Sequence, residues 1–342
     1  MDLSIVDLSL VPDAGTATDA YANTVEAAQQ AERLGYNRFW VAEHHGMAST
    51  LAGTTPEVLL GYLAAETESI RLGSGAVLLN HYSPFKVAEM FGALDALAPG
   101  RIDAGLGRAN GSPAADSALE TSRHVKNPDE DHTERITAVI NHLYDDYPPE
   151  HEYSHLEIPQ SGEETPIPWV LGSSPSSGAI AGKLGLRYCF AAFIRPQFAE
   201  YAFEEYREQF QASSLAGGID EPEGMIAVNA VCAETDEQAA RLRAVAEASY
   251  KRMRRGEVGA TPSIDEAIDE LGAEPEPTPA TLDEKEWPRA ISGSPETLRG
   301  LLEQLTARVG VDEVMIQHVV HAHENGLRSH ELLAEGLGLD PR

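Results

Sequence analysis

Glu43, His44 and His45 place a carboxylate and two imidazoles side by side at the end of an apolar run. Residues 39–42, Phe-Trp-Val-Ala, have the composition of a buried strand. Because side chains alternate along a strand, the two histidines face opposite sides of it. From spacing alone, three roles are open for them: metal ligands, acid–base groups that titrate near neutral pH, or polar residues where a strand meets solvent.

A second group of residues could bind an anion. Arg108 follows another apolar run, and the stretch GSSPSSGAIAG at 172–182 places hydroxyls at the start of a predicted helix. Backbone N–H groups at a helix N-terminus attract anions, and an arginine can add a two-pronged contact to the same group. We therefore predict a phosphate site, against the simpler alternatives of a capped turn and a surface ion pair. The run GLGRANG departs from the GxGxxG spacing of dinucleotide-binding loops.

The elements that must position these groups alternate between strand and helix. Apolar runs predict eight strands, at residues 3–10, 38–42, 69–80, 101–109, 166–173, 186–194, 224–233 and 311–320. Segments with helical spacing of apolar residues separate them. This order predicts an α/β fold, a (β/α)8 TIM barrel whose active site lies at the carboxyl ends of the strands. A doubly wound sheet is the alternative, but no glycine-rich fingerprint follows the first strand.

Residues 257–289 interrupt the alternation because they are rich in acidic residues and proline. We predict that they form a partly disordered insertion before the last helix–strand unit. We see no internal repeat, and we expect residues 1–342 to form a single domain.

The charge of the chain excludes two classes of partner. A formal net charge of −30 repels phosphate backbones and anionic lipid, so we expect neither nucleic-acid nor membrane partners. The plain alternative is an acidic mesophilic enzyme. We prefer adaptation to high salt, because screening at molar salt makes dense like charge tolerable and hydrated carboxylates keep the surface in solution.

Several other signals are missing from the sequence. No apolar run reaches the roughly 20 residues of a membrane span, and the first residues lack the basic region of a signal peptide. Cys189 and Cys232 lie far apart within apolar runs, which is typical of buried thiols. The histidines show no ligand spacing that predicts a metal site. We therefore expect a cytoplasmic protein without a bound metal.

The sequence also resembles a known family. The stretch GYNRFWVAEHH, followed by RLGSGAVLLNHYSPFKVAEMFGALDALAPGRIDAGLGRANG, closely resembles the luciferase-like monooxygenases. The likeness continues through WVLGSSPSSGAIAGKLGL and SGSPETLRGLLEQL to HAHENGLRSHELLAEGL. Each motif is loose by itself, but all of them in this order are specific to the family. The resemblance covers nearly the whole chain outside the acidic segment and implies a TIM barrel that holds a reduced flavin at its mouth.

The resemblance assigns roles on the ring side of the cofactor. It places His44 near the reacting edge of the flavin ring, with His45 packing beside it and Glu43 fixing a tautomer. A non-proline cis peptide is characteristic of this place in the family and is expected at Gly75–Ala76. The residues expected to back the ring are Ser74, Gly75 and Ala76.

The resemblance also assigns the phosphate side. The residues that match it are Arg108, Ser173, Ser174 and Ser176, and Gly172 in the same turn is also expected to contact the cofactor. Two positions depart from luciferase itself: Gly107 stands where luciferase has a thiol, and Gly172 stands where it has an acidic residue. We therefore do not expect light emission, and the aldehyde pocket does not carry over.

The activity implied by the resemblance is monooxygenation. Reduced FMN from a separate flavin reductase would react with O₂ and oxidise a small organic substrate, since nothing in the chain resembles an NAD(P)H-binding domain. We also expect a homodimer or a higher homo-oligomer. One alternative is hydride transfer with the deazaflavin F420, as a dehydrogenase or reductase. Another is a non-catalytic, flavin-binding relative.

Overall fold

The computed structural model describes residues 1–108, 113–119, 127–162, 164–213, 215–257, 259–283 and 286–341. Over these residues the chain forms a closed barrel of parallel strands with helices around it. The strands are β1 (Asp2–Asp7), β2 (Arg38–Val41), β3 (Arg71–Ser74), β4 (Val77–Leu78), β5 (Ile102–Gly107), β6 (Ile167–Gly172), β7 (Arg187–Ala191), β8 (Gly224–Cys232), β9 (Ala290–Gly293) and β10 (Glu313–Gln317). The helices are α1 (Ala17–Arg33), α2 (Pro56–Glu66), α3 (Pro84–Leu97), α4 (Pro113–Leu119), α5 (Pro128–Leu143), α6 (Pro175–Leu184), α7 (Ala199–Gln209), α8 (Asp236–Arg254), α9 (Ile264–Leu271), α10 (Pro295–Val309) and α11 (His323–Leu337).

Parallel pairing runs in the order β1, β2, β3, β5, β6, β7, β8 and β10, and β10 pairs back to β1. β3 and β4 are two parts of one barrel strand, since both pair with β5. The eight predicted strands and the TIM barrel are therefore confirmed. The doubly wound alternative is wrong, because such a sheet has two free edges, whereas here β10 pairs with both β1 and β8 and closes the barrel. The short strand β9 was not predicted and pairs with the carboxyl end of β8.

The helices use local signals at both ends. Proline occupies the first turn of α2, α3, α5, α6 and α10, where its missing N–H costs no hydrogen bond. Gly185 and Gly310 end α6 and α10 in the left-handed conformation, which glycine adopts without steric cost. No helix in the described part of the chain is long and apolar enough to cross a membrane.

Alternation along the strands divides the core into two layers. Phe39 and Val41 of β2 pack outward with the helices, whereas Trp40 points into the barrel. There Trp40 meets Trp169 edge to face, with ring centroids 5.9 Å apart. A Cβ atom at Gly73 would lie 2.3 Å from the Trp40 indole, so this position leaves no room for a side chain. The inner layer otherwise contains Val6, Ala42, Cys189, Met225, Ala227 and Met315.

The amino-terminal end of the barrel interior holds a buried polar cluster, here named the lower network. Its members are Ser4, Arg38, Arg71, Asp103, Trp169 and Glu313. Arg38 pairs with both Asp103 (3.2 Å) and Glu313, and the Arg71 Nε atom lies 2.9 Å from Asp103. The Trp169 indole N–H donates to Asp103 and Ser4 donates to Glu313. Each carboxylate is therefore matched by an arginine and a neutral donor.

Helix α9 lies inside the segment predicted to be a partly disordered insertion. Ser263 and Glu266 form a complete capping box at its start. Its Ile264 and Ile268 pack with Ala267 against α8. Thr50, in the loop after β2, donates to the Gly259 carbonyl and so joins this segment to the loop that carries His44. The expectation of disorder overlooked the helical spacing of the few apolar residues.

Candidate active site

The predicted site residues meet at one end of the barrel. Parallel strands have their carboxyl ends on the same side, so the groups that follow β2, β3, β5 and β6 surround one opening, the mouth. The segments at the mouth are 43–45 after β2, 74–76 between β3 and β4, Arg108 after β5, and 172–176 where β6 leads into α6. The described residues contain no group of three or more His, Cys, Asp or Glu arranged to hold a metal ion.

His44 continues the inward row of β2. Arg38, Trp40 and Ala42 point into the barrel, and alternation puts His44 next in that row. The His44 backbone N–H donates to the Gly53 carbonyl at 2.8 Å, which holds the chain in place. The buried Nδ1 atom of its ring has no hydrogen-bond partner among the described residues. An unmatched polar atom at the mouth of a barrel is suited to a ligand.

Burial sets the protonation state of His44. Burial, together with a smaller contribution from the neighbouring His45, lowers the pKa of the imidazole to about 4. Our expectation of a pKa near neutral for this group is therefore wrong in this structure. The ring is neutral at pH 7, so it carries one N–H donor and one acceptor nitrogen.

Glu43 and His45 lie on the other side of the same segment. The His45 Nε2 atom lies 2.6 Å from a Glu43 oxygen, and Tyr82 donates to that oxygen at 3.0 Å. The other Glu43 oxygen accepts the Leu78 backbone N–H at 3.0 Å. Burial raises the pKa of Glu43, while these bonds lower it. Glu43 thus orients His45, and the His45 ring packs edge to face against His81.

The wall between β3 and β4 contains the cis peptide bond Gly75–Ala76, which confirms that prediction. The Gly75 N–H donates to the Val41 carbonyl at 2.7 Å, and Ala76 is almost completely buried. The Ser74 hydroxyl donates to the Gly105 carbonyl at 2.7 Å inside the wall. This bond engages the Ser74 hydroxyl away from the mouth, so Gly75 and Ala76 form the surface beside it.

Arg108 has a carboxylate partner. Its guanidinium forms an ion pair with Asp129 in the first turn of α5. His132, one turn further along α5, is buried, and burial followed by the charge of Arg108 lowers its pKa to about 4. Both members of the ion pair are partly exposed, the Arg108 side chain at 28% and Asp129 at 48%. Solvent screens such a pair, so a phosphate could replace Asp129 at modest cost.

The turn between β6 and α6 presents the remaining anion donors. Ser174 is the N-cap of α6 with extended backbone, and its hydroxyl lies 3.0 Å from that of Ser176. Ser177 donates to the Ser174 carbonyl at 2.6 Å and fixes the turn. A Cβ atom at Gly172 would lie 2.2 Å from the Ser177 hydroxyl, so the packing explains why this position is glycine. Ser173 and Ser174 are half-buried at the mouth.

Two carboxamides at the mouth complete the site. Asn229 of β8 and Gln317 of β10 are register partners on neighbouring strands, and the Asn229 Nδ2 atom lies 3.3 Å from Gln317 Oε1. Gln317 lies within the strand predicted over residues 311–320, and Asn229 was not predicted as a site residue. A signal was present, since both residues continue the inward rows of Met225, Ala227 and Met315. Predicting the pair from this pattern requires knowing that β8 and β10 are neighbouring strands.

These features define a TIM-barrel enzyme site with an unmatched imidazole and anion donors at its mouth. More specifically, the chain belongs to the luciferase-like monooxygenase family, because that family's model matches residues 1–324. The family predicted from the sequence motifs is thus confirmed.

Three similar proteins illustrate the family. The N-acetyl-S-alkylcysteine monooxygenase of Bacillus subtilis (strain 168) is 43% identical over 69% of each chain. The crystal structure of apo-MsnO8 superposes with a TM-score of 0.87, at 38% identity, over 100% of this chain and 99% of that one. The oxygenase component of a flavin-dependent trigonelline monooxygenase from Acinetobacter baylyi (strain ATCC 33305 / BD413 / ADP1) is 27% identical over 68% of this chain and 65% of its own.

Two more distant solved structures show the same fold. The oxygenating constituent of 3,6-diketocamphane monooxygenase from Pseudomonas putida, in complex with FMN, superposes with a TM-score of 0.70 at 20% identity and covers 98% of this chain and 97% of its own. An F420-dependent secondary alcohol dehydrogenase with an F420–acetone adduct has a TM-score of 0.66 at 14% identity and covers 98% of both chains. The fold therefore accepts either cofactor class and does not select between them.

Proposed function

We propose that this chain is the oxygenase of a two-component system that uses reduced FMN and O₂ to oxidise a small organic substrate. The observation that carries the proposal is the neutral His44 ring, whose Nδ1 atom lies unmatched at the mouth of the barrel. An imidazole in that position is suited to a proton transfer or a hydrogen bond with a ligand that enters the barrel. The family and the flavin-dependent relative support the choice of chemistry.

The donors at the mouth fit the phosphate end of a flavin mononucleotide. Arg108 and the turn of Ser173, Ser174 and Ser176 offer a guanidinium, hydroxyls and the N-terminus of a ten-residue helix. Such a set matches a dianion by charge and by hydrogen bonds. For these donors to act together, Arg108 must exchange Asp129 for the phosphate. Breaking the ion pair costs little free energy, because both of its members are partly exposed.

The inner wall fits the ring end. Gly75 and Ala76 present a surface without polar side chains, and the partly buried Leu8, Leu171 and Phe193 pack onto the inner layer. Apolar walls exclude water from a reacting group, which protects a reduced cofactor from side reactions. Glu43 and His45 lie behind this surface and hold each other, so they stabilise the segment that positions His44.

In the proposed reaction, bound reduced flavin supplies the electrons that activate O₂. His44 holds a proton on one ring nitrogen and accepts at the other, because its low pKa keeps it neutral at working pH. It can therefore move a proton at Nδ1 without first losing one to solvent. The anion site holds the phosphate end, so removing His44 should leave cofactor affinity nearly intact. A separate reductase and a homodimer stay predictions of the same proposal.

The experiment is a pair of titrations followed by a turnover assay. FMN and F420 are each titrated into the protein, and O₂ uptake is then measured with pre-reduced FMN and a substrate panel. N-acetyl-S-alkylcysteines come first, because a 43% identical relative is named for them. We expect saturable FMN binding and substrate-dependent O₂ uptake. Binding of F420 alone would replace monooxygenation by hydride transfer, and binding of FMN without turnover on the panel would favour a non-catalytic relative.

A further inference from the structure

Asn229 and Gln317 form a buried amide pair that the fold alone does not need. Both side chains point into the barrel at the carboxyl ends of their strands, and each residue is less than a tenth exposed, at 7% and 8%. The neighbouring inward positions are apolar, namely Met225, Ala227 and Met315. Burying polar amides among apolar residues costs free energy unless their hydrogen bonds are satisfied. A polar pair at this place therefore indicates a partner.

The single bond within the pair leaves one whole polar group of each amide unmatched. A single bond joins Asn229 Nδ2 to Gln317 Oε1 at 3.3 Å, so the Asn229 oxygen and the Gln317 amino group have no partner among the described residues. Both atoms retain some accessible surface, so a ligand that enters the barrel can reach them. Exchanging oxygen and nitrogen in both amides swaps the roles of the two residues but again leaves the oxygen of one amide and the amino group of the other unmatched. The ligand must therefore offer an adjacent N–H and C=O.

Gln317 lies across the barrel from Arg108, and Asn229 on β8 is three strands away from β5. Arg108 follows β5, and β10 lies four strands away from β5 in a barrel of eight. A single ligand that reaches both sites carries an anion at one end and an imide or lactam edge at the other. A flavin mononucleotide has this shape, because its pyrimidinedione ring presents N–H between two carbonyl groups while its phosphate lies at the end of the ribityl chain.

We propose that Asn229 and Gln317 bind the pyrimidinedione edge of the flavin ring and set the ring's orientation in the barrel. This inference rests on the proposed function, since it names the second half of the same cofactor site. Two neutral hydrogen bonds, one to N–H and one to C=O, would fix the ring against rotation about the axis of the ribityl chain. Orientation in turn decides which edge of the ring faces His44.

The test combines protein variants with a modified flavin. Kd values are measured by fluorescence titration for FMN and for FMN methylated at the imide nitrogen (N3), with the wild-type protein and with Gln317→Met and Asn229→Ala. Met315→Leu, in the same inward row, is the control for changes in packing alone. We expect each carboxamide variant to bind FMN about 3- to 10-fold more weakly, as the loss of one neutral hydrogen bond predicts. The control should bind FMN as the wild type does.

Methylation should weaken binding to the wild type by at least about 10-fold, because it removes the ring donor and adds bulk where the amides lie. That loss should shrink in the variant that lacks the oxygen accepting the ring N–H, which is Asn229→Ala in the arrangement described, since this contact is already gone there. An equal methylation loss in the wild type and both variants, or unchanged FMN binding in the variants, would overturn the inference and leave the proposed function standing. A wild-type protein that does not bind FMN would overturn both.

Discussion

The two ends of the barrel interior are both polar, yet they are built differently. In the lower network, Arg38 and Arg71 are matched to Asp103 and Glu313, and Ser4 adds a further donor. At the mouth, His44 keeps an unmatched ring nitrogen, and the single bond between Asn229 and Gln317 leaves the oxygen of one amide and the amino group of the other unmatched. Buried polar groups without partners cost stability. The comparison assigns stability to the lower end and ligand binding to the mouth.

The two ends of the barrel also differ in charge, because the imidazole of His44 at the mouth is neutral. In the lower network, each buried charge faces a partner of opposite sign. No carboxylate contacts the His44 ring among the residues that the structure describes, and burial lowers its pKa. His45, only one residue further, is held by Glu43 at 2.6 Å. Alternation along one short segment thus separates an imidazole paired with a carboxylate from one available to a ligand.

The largest expected effect follows from removing the unmatched imidazole. His44→Ala should lower turnover with pre-reduced FMN about 10²- to 10⁴-fold, which is typical for a positioned proton-transfer group. The Kd for FMN should change little, because the phosphate end supplies most of the affinity. The measurement is single turnover beside a flavin titration.

His45→Ala is the matched control, because it removes a neighbouring imidazole that is bonded to Glu43. It should show mainly a loss of stability or of cofactor affinity. Normal turnover in His44→Ala with a loss in His45→Ala would show that the opposite side of the segment faces the cofactor. Normal turnover in both variants would exclude the proton-transfer role.

The second effect is expected at the lower end. Arg38→Met leaves Asp103 and Glu313 buried with less compensation, so the free energy of unfolding should fall by about 3–5 kcal/mol. Urea denaturation measures it. Arg187→Met is the control, since Arg187 pairs at 2.7 Å with the exposed Glu223 and should lose less than about 1 kcal/mol. Equal losses of unfolding free energy in the two variants would contradict the claim that the lower network contributes more to stability than a surface ion pair does.

The third effect concerns the anion donors. Arg108→Ala should weaken FMN binding about 10- to 100-fold, because a charge-assisted contact contributes about 1.5–3 kcal/mol. Asp129→Asn sharpens the test, since it frees Arg108 from its ion pair and should leave binding equal or tighter. An unchanged Kd in Arg108→Ala would exclude Arg108 from the phosphate site.

A fourth effect depends on pH. Burial lowers the pKa of His318 to about 3, so folded His318 stays neutral while the unfolded chain binds a proton near pH 6.5. Below pH 6.5 the unfolded state therefore binds more protons, and the free energy of unfolding falls by up to about 1.4 kcal/mol per pH unit for this imidazole. The raised pKa of Glu43 acts in the opposite direction. The informative quantity is thus the slope from pH 7 to 5, which should be shallower in His318→Asn; equal slopes would contradict the assignment.

The smallest expected effect per residue is that of the exposed charges on the melting temperature. The net charge of −30 predicts a melting temperature that rises by several degrees from low salt to molar KCl, because screening relieves repulsion between exposed carboxylates. Salt screens the buried lower network much less. The free energy of unfolding of Arg38→Met should therefore lie below that of the wild type by a similar amount at both salt concentrations. A melting temperature that does not change with salt would reject the high-salt adaptation.

Local pattern predicted the barrel strands and placed His44 and His45 on opposite faces of one strand, because both depend on alternation within a few residues. The choice of His44 as the residue beside the flavin came from the family resemblance. It missed α9, whose apolar Ile264, Ile268 and Leu271 lie within an acidic, proline-rich segment. It also missed Asn229, since the pair with Gln317 requires the closure of the barrel. The low pKa of His44 depends on burial by distant segments, which no local pattern contains.

The most direct test of the central claim is to observe the histidine rings while FMN binds. Protein labelled with ¹⁵N at histidine is titrated with FMN, and the ring resonances are assigned with His44→Gln and His318→Asn. We expect the resonances of the His44 ring nitrogens to shift as FMN saturates the protein, while the ring remains neutral at pH 7. The His318 resonances should not shift, because that ring is bonded to Ser329 and His330 outside the barrel. FMN binding that leaves the His44 resonances unchanged would contradict the claim that the mouth of the barrel holds the flavin against His44.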